Sequence, residues 1–185
     1  MLKKSLKVFL LTLTAYLLQA TVAIHIAISD VAPNFAMAFI AVATVALGRK
    51  YTFVMSLTVG YLLEIMLPTI QYFSILLYPV CCMLGALAFA DKSERRLEEE
   101  KNITGKGRPQ LDPHLRTPLA AALSVAVYEG VHLIYLYLGG ITLDGVHLGR
   151  ALIDVAYSTA IAGIAQFPLR RLLGMHRVRK TKQTP

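Results

Sequence analysis

Apolar residues run along this chain in six long blocks, and the charges gather between them. The blocks cover about 6–28, 32–47, 51–67, 71–90, 118–138 and 149–169. Each is continuously apolar, without the apolar/polar alternation of a barrel strand. Leu and Ala dominate the blocks, and both favour helix. A helix needs roughly 20 apolar residues to cross a hydrocarbon core, so the pattern predicts six transmembrane helices. The second block is short, is opened by Pro33 and Asn34, and is expected to stand nearly upright or to start in the interface. Gly48, Arg49 and Lys50 are expected to form a tight turn, and Pro68 to end the third block. Lys3, Lys4 and Lys7 precede the first block, as in a signal peptide. That block is longer than a usual signal core and has a poor cleavage site near Ala23, so it reads as a retained span.

Composition strengthens this reading. The 185 residues are 56% hydrophobic and 16% charged, more apolar surface than a soluble domain of that length can enclose. A single integral membrane domain, 1–185, accounts for the chain, with a cytoplasmic loop at 91–117 and a basic cytoplasmic tail at 170–185. Within the loop, 91–101 reads as a solvated helical extension and 102–113, rich in Gly, Pro and Asn, as a flexible link.

The net charge of +8 does not indicate nucleic acid, because the excess flanks the apolar blocks. With six spans and the N-terminus inside, eighteen of the 19 Lys and Arg fall on the inner side, and only Arg150 falls outside. The positive-inside rule therefore predicts an all-α membrane protein: a six-transmembrane-helix bundle, multi-pass in the inner (plasma) membrane, with N- and C-termini cytoplasmic. Cys81 and Cys82 are neighbours on one helix, cannot bridge each other without strain, and read as reduced packing residues.

Charged groups within spans cost about 2.5–3.5 kcal/mol each on insertion scales, so each calls for a reason. The candidates are Glu64, Glu129, His132 and Asp154, with Arg150, His25 and Gln19 beside them. Their depths place them all in the outer half of the bundle, leaving the inner half apolar. In one reading they bond to one another and fix the helices in register, Arg150 pairing with Asp154 at i, i+4. In the other they line an outward-facing pocket. Glu129 and His132 have the Glu-x-x-His spacing of di-iron bundles, but there is no second copy, so neither a metal nor a cofactor is expected. Ser124 and Ser158 sit on apolar helices without a nucleophile elbow, and no enzyme motif emerges. Small residues recur at four-residue spacing, as in Ala122/Ala126, Ala156/Ala160 and Ser158/Ala162, which permits close helix contact.

Three short stretches carry a family resemblance. They are Gln19 within Leu18-Gln19-Ala20-Thr21-Val22, then Pro33-Asn34-Phe35, then Gly60 to Glu64 within Val59-Gly60-Tyr61-Leu62-Leu63-Glu64. In these, in size and in its basic inner ends, the chain resembles the MreD family of rod-shape-determining membrane proteins. The resemblance covers about 6–92. Glu64 stands where the family commonly has Asp, and the family's second glycine before it is missing. The resemblance implies a non-enzymatic scaffold of the bacterial cell-elongation complex. Such a scaffold would bind an MreC-like single-span partner and help couple MreB filaments to peptidoglycan synthases. The family is similar in fold to the substrate-binding subunits of energy-coupling-factor vitamin importers. That likeness implies the alternative, a vitamin-binding subunit with an outward polar pocket.

Overall fold

The structure, a computed structural model, describes residues 2–28, 30–66, 73–90 and 111–173. The described residues form six α-helices and no strand: α1 (Leu2–Leu17), α2 (Phe35–Leu47), α3 (Arg49–Met66), α4 (Phe73–Phe89), α5 (Pro113–Leu138) and α6 (Gly145–Leu172). The stretch 91–110, with the expected solvated extension and most of the flexible link, lies outside the described residues, as do Pro68 and 174–185.

α2 is the axis of the bundle. It is apolar on every side, which is the signature of a helix buried on every side, and all residues from Ala36 to Val45 are buried. The other five surround it. α1 packs on α3, α3 on α4, α4 on α5 and α5 on α6, and all five helices of the ring also contact α2. Its 13 residues span about 20 Å at 1.5 Å per residue, whereas the 26 of α5 and 28 of α6 span about 40 Å. Both ends of the axis are thus recessed inside the bundle. Successive helices alternate in direction, so one end carries Asn34 and the other Gly48. Lys7 donates to the Leu172 carbonyl at 2.9 Å, which ties the start of α1 to the close of α6 at the Gly48 end.

Three helical stretches are long and apolar enough to cross a membrane: Ser5–Ile26, His114–Leu138 and Gly145–Leu172. Phe35–Leu47 and Phe73–Phe89 are apolar but shorter. The outer surface is correspondingly oily, with Phe9, Leu76, Ile134, Leu152 and Ile164 among the exposed side chains. These are the marks of a membrane protein.

Two glycines set the spacing of the ring. A Cβ on Gly60 would come within 2.8 Å of the Ser74 carbonyl oxygen, so α3 and α4 touch backbone to backbone there. A Cβ on Gly85 would meet the Ser124 hydroxyl and lie 3.0 Å from the Ala120 carbonyl, which brings α4 onto α5. Ala38, Ala41, Ala120, Ala121 and Ala162 form a second small-residue seam between α2, α5 and α6. Of the predicted small-residue pairs, Ser158/Ala162 packs inside, whereas Ala156 and Ala160 face outward.

In the layout of the helices and their interior, sequence expectation and structure part at three places. The tight turn at 48–50 is a single residue: Gly48 takes φ +86°, open to glycine at little cost, and α3 begins at once with Arg49. The loop expected to run to residue 117 ends earlier, because α5 starts at Pro113 behind Asp112. A proline in the first turn begins a helix rather than breaking one. Arg116 and Thr117, expected in solvated loop, are therefore buried.

The third difference concerns the Gly48 end, expected to be apolar inside. It holds buried Thr44, Thr52, Arg116, Thr117 and Gln166. The threonines bury cheaply because they bond locally. Thr44 donates to the Ile40 carbonyl at 2.8 Å and Thr52 to Thr44 at 3.0 Å. Gln166 has a more specific task. Pro118 lacks the N–H that would meet the His114 carbonyl four residues back, and Gln166 Nε2 supplies that bond from α6 at 3.3 Å.

Candidate functional site

The polar groups of the Asn34 end are organised around the buried start of α2. A helix leaves its first N–H groups without intrahelical partners, and here they point into the bundle rather than into water. The Phe35 N–H turns back to the Pro33 carbonyl at 3.2 Å, and the others are met by side chains. The Asn34 N–H donates to Ser158 Oγ on α6 at 2.7 Å. The Ala36 N–H donates to Gln19 Oε1 at 3.2 Å. The Met37 N–H donates to Asn34 Oδ1 at 3.0 Å, an ordinary N-cap. Pro33, fully buried, has no N–H to satisfy.

Gln19 reaches this position because α1 does not continue as a regular helix. After Leu17 the chain makes a five-residue π-turn, Leu18–Val22, then a 3-10 turn, Ala23–Ile26. The wider turn sets Gln19 opposite the start of α2. Such bulges occur often at functional positions.

Asp154 is the charge-bearing centre of the cluster. It is 7% exposed and accepts from Ser158 Oγ at 2.7 Å. Its electrostatic neighbours include the Asn34 N–H and the Glu129 side chain on α5. A carboxyl beside a helix N-terminus is favourably placed against the partial positive charge there. Glu129 in turn faces His132, Nδ1 to Oε2 3.9 Å, one turn further along α5. Tyr78 of α4 donates to Asn34 Oδ1 at 3.3 Å, and its ring packs edge-on against Tyr128 at 5.5 Å. Phe73 closes the side towards Tyr128, His132 and Tyr135.

Glu64 belongs to a second, matching arrangement. Its Oε2 accepts from the Ser74 N–H at 2.9 Å in the first turn of α4. Gly60, one turn earlier on α3, is the residue that lets α4 come this close. Glycine and carboxylate thus form one device: the first sets the distance, the second caps the helix.

The predicted site residues divide accordingly. Asp154, Glu129, His132, Gln19 and Glu64 all lie at the Asn34 end, the first three in one cluster and the last two each at a helix start. The expected pair of Arg150 with Asp154 does not form. Arg150 faces the loop residue Asp30 at 3.7 Å, because Asp154 points inward to Ser158 and Asn34 while Arg150 lies on an exposed part of α6. His25 is exposed on the 3-10 turn and stands apart from the cluster. Cys81 and Cys82 are free and buried. Among the described residues no group of three His, Cys, Asp or Glu gathers as metal ligands.

From the sequence Ser158 reads only as a small packing residue, and Tyr78 is not singled out. Ser158 had a readable signal, since it stands at i+4 from Asp154, where two helix side chains meet. Tyr78 had none, because its role depends on where α4 crosses α2.

Chemically, the arrangement is a set of acceptors and donors that satisfy one another around two helix starts. The chain matches no family model, and neither curated proteins nor solved structures yield a match.

Proposed function

We propose that the chain is a multi-pass membrane scaffold of the MreD type, with six spans and both termini on the cytoplasmic side of the inner membrane. In this reading it binds an MreC-like single-span protein and helps couple MreB filaments to peptidoglycan synthases, without a reaction of its own. The observation that carries the proposal is the convergence of the three family-like stretches. Gln19, Pro33 with Asn34, and Gly60 with Glu64 lie far apart in sequence, yet all serve helix starts at one end. Residues shared for that purpose specify a packed bundle, which is what a scaffold presents to its partners.

The membrane topology is supported by the charges. Lys7, Arg49, Lys50, Arg116, Arg170 and Arg171 lie at the Gly48 end and Arg150 at the other, in the sense that the positive-inside rule assigns to a cytoplasmic Gly48 end. Exposed Tyr61, Tyr135 and Tyr137 at the Asn34 end suit a membrane–water boundary, where tyrosine is enriched. The importer reading is less well supported, because Asp154, Ser158, Asn34 and Tyr78 spend their hydrogen bonds on one another.

Affinity purification of the full chain from membranes tests the proposal. An MreC-like single-span protein is expected to co-purify, and depletion of the chain is expected to round the cells. Normal cell shape together with loss of uptake of a vitamin would replace the scaffold reading with the importer one. Cysteine accessibility at 48–50 and 141–144 tests the topology separately.

A further inference from the structure

The ring around α2 is packed at every junction except the one between its first and last helices. α1 and α6 share no broad contact. Among the described residues two hydrogen bonds tie them, one near each end. Lys7 Nζ donates to the Leu172 carbonyl at 2.9 Å. The Tyr157 hydroxyl donates to the Ile26 carbonyl, in the 3-10 turn beyond α1, at 3.0 Å. Between these ties a seam runs along the outer surface. Tyr157 and Leu172 are about 22 Å apart along α6.

The seam is apolar along its walls and basic at its Gly48 end. On α1, Lys7, Leu10 and Thr14 stand at i, i+3 and i+7, on one face. Leu10 is 50% exposed, and the Thr14 hydroxyl is spent on the Leu10 carbonyl at 2.8 Å. On α6, Ile164, Pro168 and Arg171 lie on the face of Tyr157, at i+7, i+11 and i+14, and all three are exposed. The Lys7 ammonium has three N–H donors, and the Leu172 carbonyl takes one of them. Arg171, the residue before Leu172, has no hydrogen bond or ion pair among the described residues. Asp112, the described acid of this end, starts α5 on the other side of α6 and pairs with neither cation. Two cations without a counter-charge thus stand over an apolar slot, which complements an amphiphile with an anionic head.

We propose that the seam between α1 and α6 holds an anionic phospholipid of the cytoplasmic leaflet. Its phosphate lies at Lys7 and Arg171, and one acyl chain lies along Leu10, Thr14 and Ile164. This rests on the topology proposed above, with the Gly48 end cytoplasmic, and not on the partner named there. One leaflet is about 15 Å of hydrocarbon, so a single chain fits beneath Lys7 without reaching the Tyr157 tie. Charge-assisted bonds from an ammonium and a guanidinium suit a phosphate. The bound lipid then closes the ring where protein packing leaves it open.

The test uses the full chain, which has no tryptophan, in phosphatidylcholine nanodiscs with a minority of phosphatidylglycerol. Leu10→Trp places a fluorophore in the seam. Phe53→Trp places one on α3, where Phe53 is 48% exposed, near the same end. Bromine on the phosphatidylglycerol chains is expected to quench Leu10→Trp well beyond Phe53→Trp, and bromine on phosphatidylcholine to show no such excess. In the Leu10→Trp chain, Lys7→Gln and Arg171→Gln are each expected to lower the preference for phosphatidylglycerol about fivefold. Lys7→Arg and Lys50→Gln are expected to leave it unchanged. Should Lys7→Gln fail to assemble, the exposed Arg171 decides. Three outcomes overturn the site: equal phosphatidylglycerol quenching at the two positions, weaker quenching in the seam with both lipids, or an equal loss with Lys50→Gln. The first leaves no lipid preference, the second means that protein fills the seam, and the third means that a basic rim attracts anionic lipid without a site. Cysteine accessibility at 48–50 reads the topology independently, so failed quenching with the expected topology removes the lipid site alone.

Discussion

The two ends of the bundle treat helix termini in opposite ways. At the Asn34 end, α2 and α4 begin, and oxygen acceptors meet their N–H groups: Gln19, Asn34 and Ser158 at α2, Glu64 at α4. At the Gly48 end, α4 and α6 finish, and cations meet their carbonyls. Arg49 donates to the carbonyls of Ala86 and Leu87 at 3.3 and 3.2 Å, and Lys7 to that of Leu172 at 2.9 Å. Each end carries the sign that complements the helix dipoles arriving there. The same cations are the ones that the positive-inside rule counts. A charge pattern read as an orientation signal is therefore also a capping pattern. The ends differ in depth as well, because the acceptors at α2 are inside the bundle while Lys7 and Arg49 reach in from its rim.

Packing against the backbone is where this comparison breaks most sharply. Gly60→Ala forces a methyl to within 2.8 Å of the Ser74 carbonyl and pushes α4 away from Glu64. A loss of about 1–3 kcal/mol is expected, as for other overpacked contacts. Gly163→Ala on α6 has nothing within 4 Å of the added carbon and gains helix propensity, so it is expected to be neutral or to stabilise by up to about 1 kcal/mol. Unfolding in detergent at matched concentration compares the two. Equal losses would show that the α3–α4 contact is not what positions Glu64.

Removing an acceptor from a buried helix start comes next. Asn34→Ala deletes the cap on the Met37 N–H and the partner of Tyr78, and is expected to cost about 1–2 kcal/mol. Asn34→Asp keeps an acceptor and is expected to recover most of that. Glu64→Ala is expected to cost about 1 kcal/mol through the uncapped Ser74 N–H, and Glu64→Gln less. At the other end, Arg49→Ala is expected to cost about 0.3–1 kcal/mol, because its bonds lie at the rim, where water replaces them. Thermal shifts of the purified variants give this order directly. If Arg49→Ala costs more than Asn34→Ala, the buried end is not the more demanding one.

Much of this was legible in the sequence, for identifiable reasons. Six apolar blocks correspond to six helices because each block is long and uninterrupted, and the signal sums over many residues. The gathering of Glu64, Glu129, His132 and Asp154 at one end followed from counting depth along helices of alternating direction. The direction in which each side chain points did not follow. Asp154 and Arg150 share a helix at i, i+4, yet Ser158 and the start of α2 draw Asp154 inward. Arg116 was placed in the loop because Pro113 was counted with the flexible link, although it stands where a proline starts a helix. Gln166 could not be assigned without knowing that Pro118 leaves the His114 carbonyl open and that α6 passes beside it. Periodicity records what is apolar. Local hydrogen bonds to freed backbone groups leave no periodic trace.

The smallest expected effect is at Arg150, and it sharpens the comparison because it is a cation at the acceptor end. Its contact with Asp30 is 3.7 Å long, with side chains 52% and 90% exposed. Exposed pairs of that kind contribute about 0–1 kcal/mol, so Arg150→Ala is expected to leave the unfolding temperature nearly unchanged. Its effect on orientation has the opposite sign to that of Arg49. Among the described residues Arg150 is the one basic residue at the Asn34 end, so its removal is expected to strengthen the positive-inside bias, whereas removing Arg49 and Lys50 together is expected to weaken it. Reporter fusions after residue 173 in the two variants measure this. The Arg150→Ala chain is expected to keep the wild-type orientation in full, and the Arg49→Ala, Lys50→Ala chain to show a mixed fraction. A mixed fraction in the first and none in the second would mean that capping, and not orientation, is what the basic residues of the Gly48 end are for.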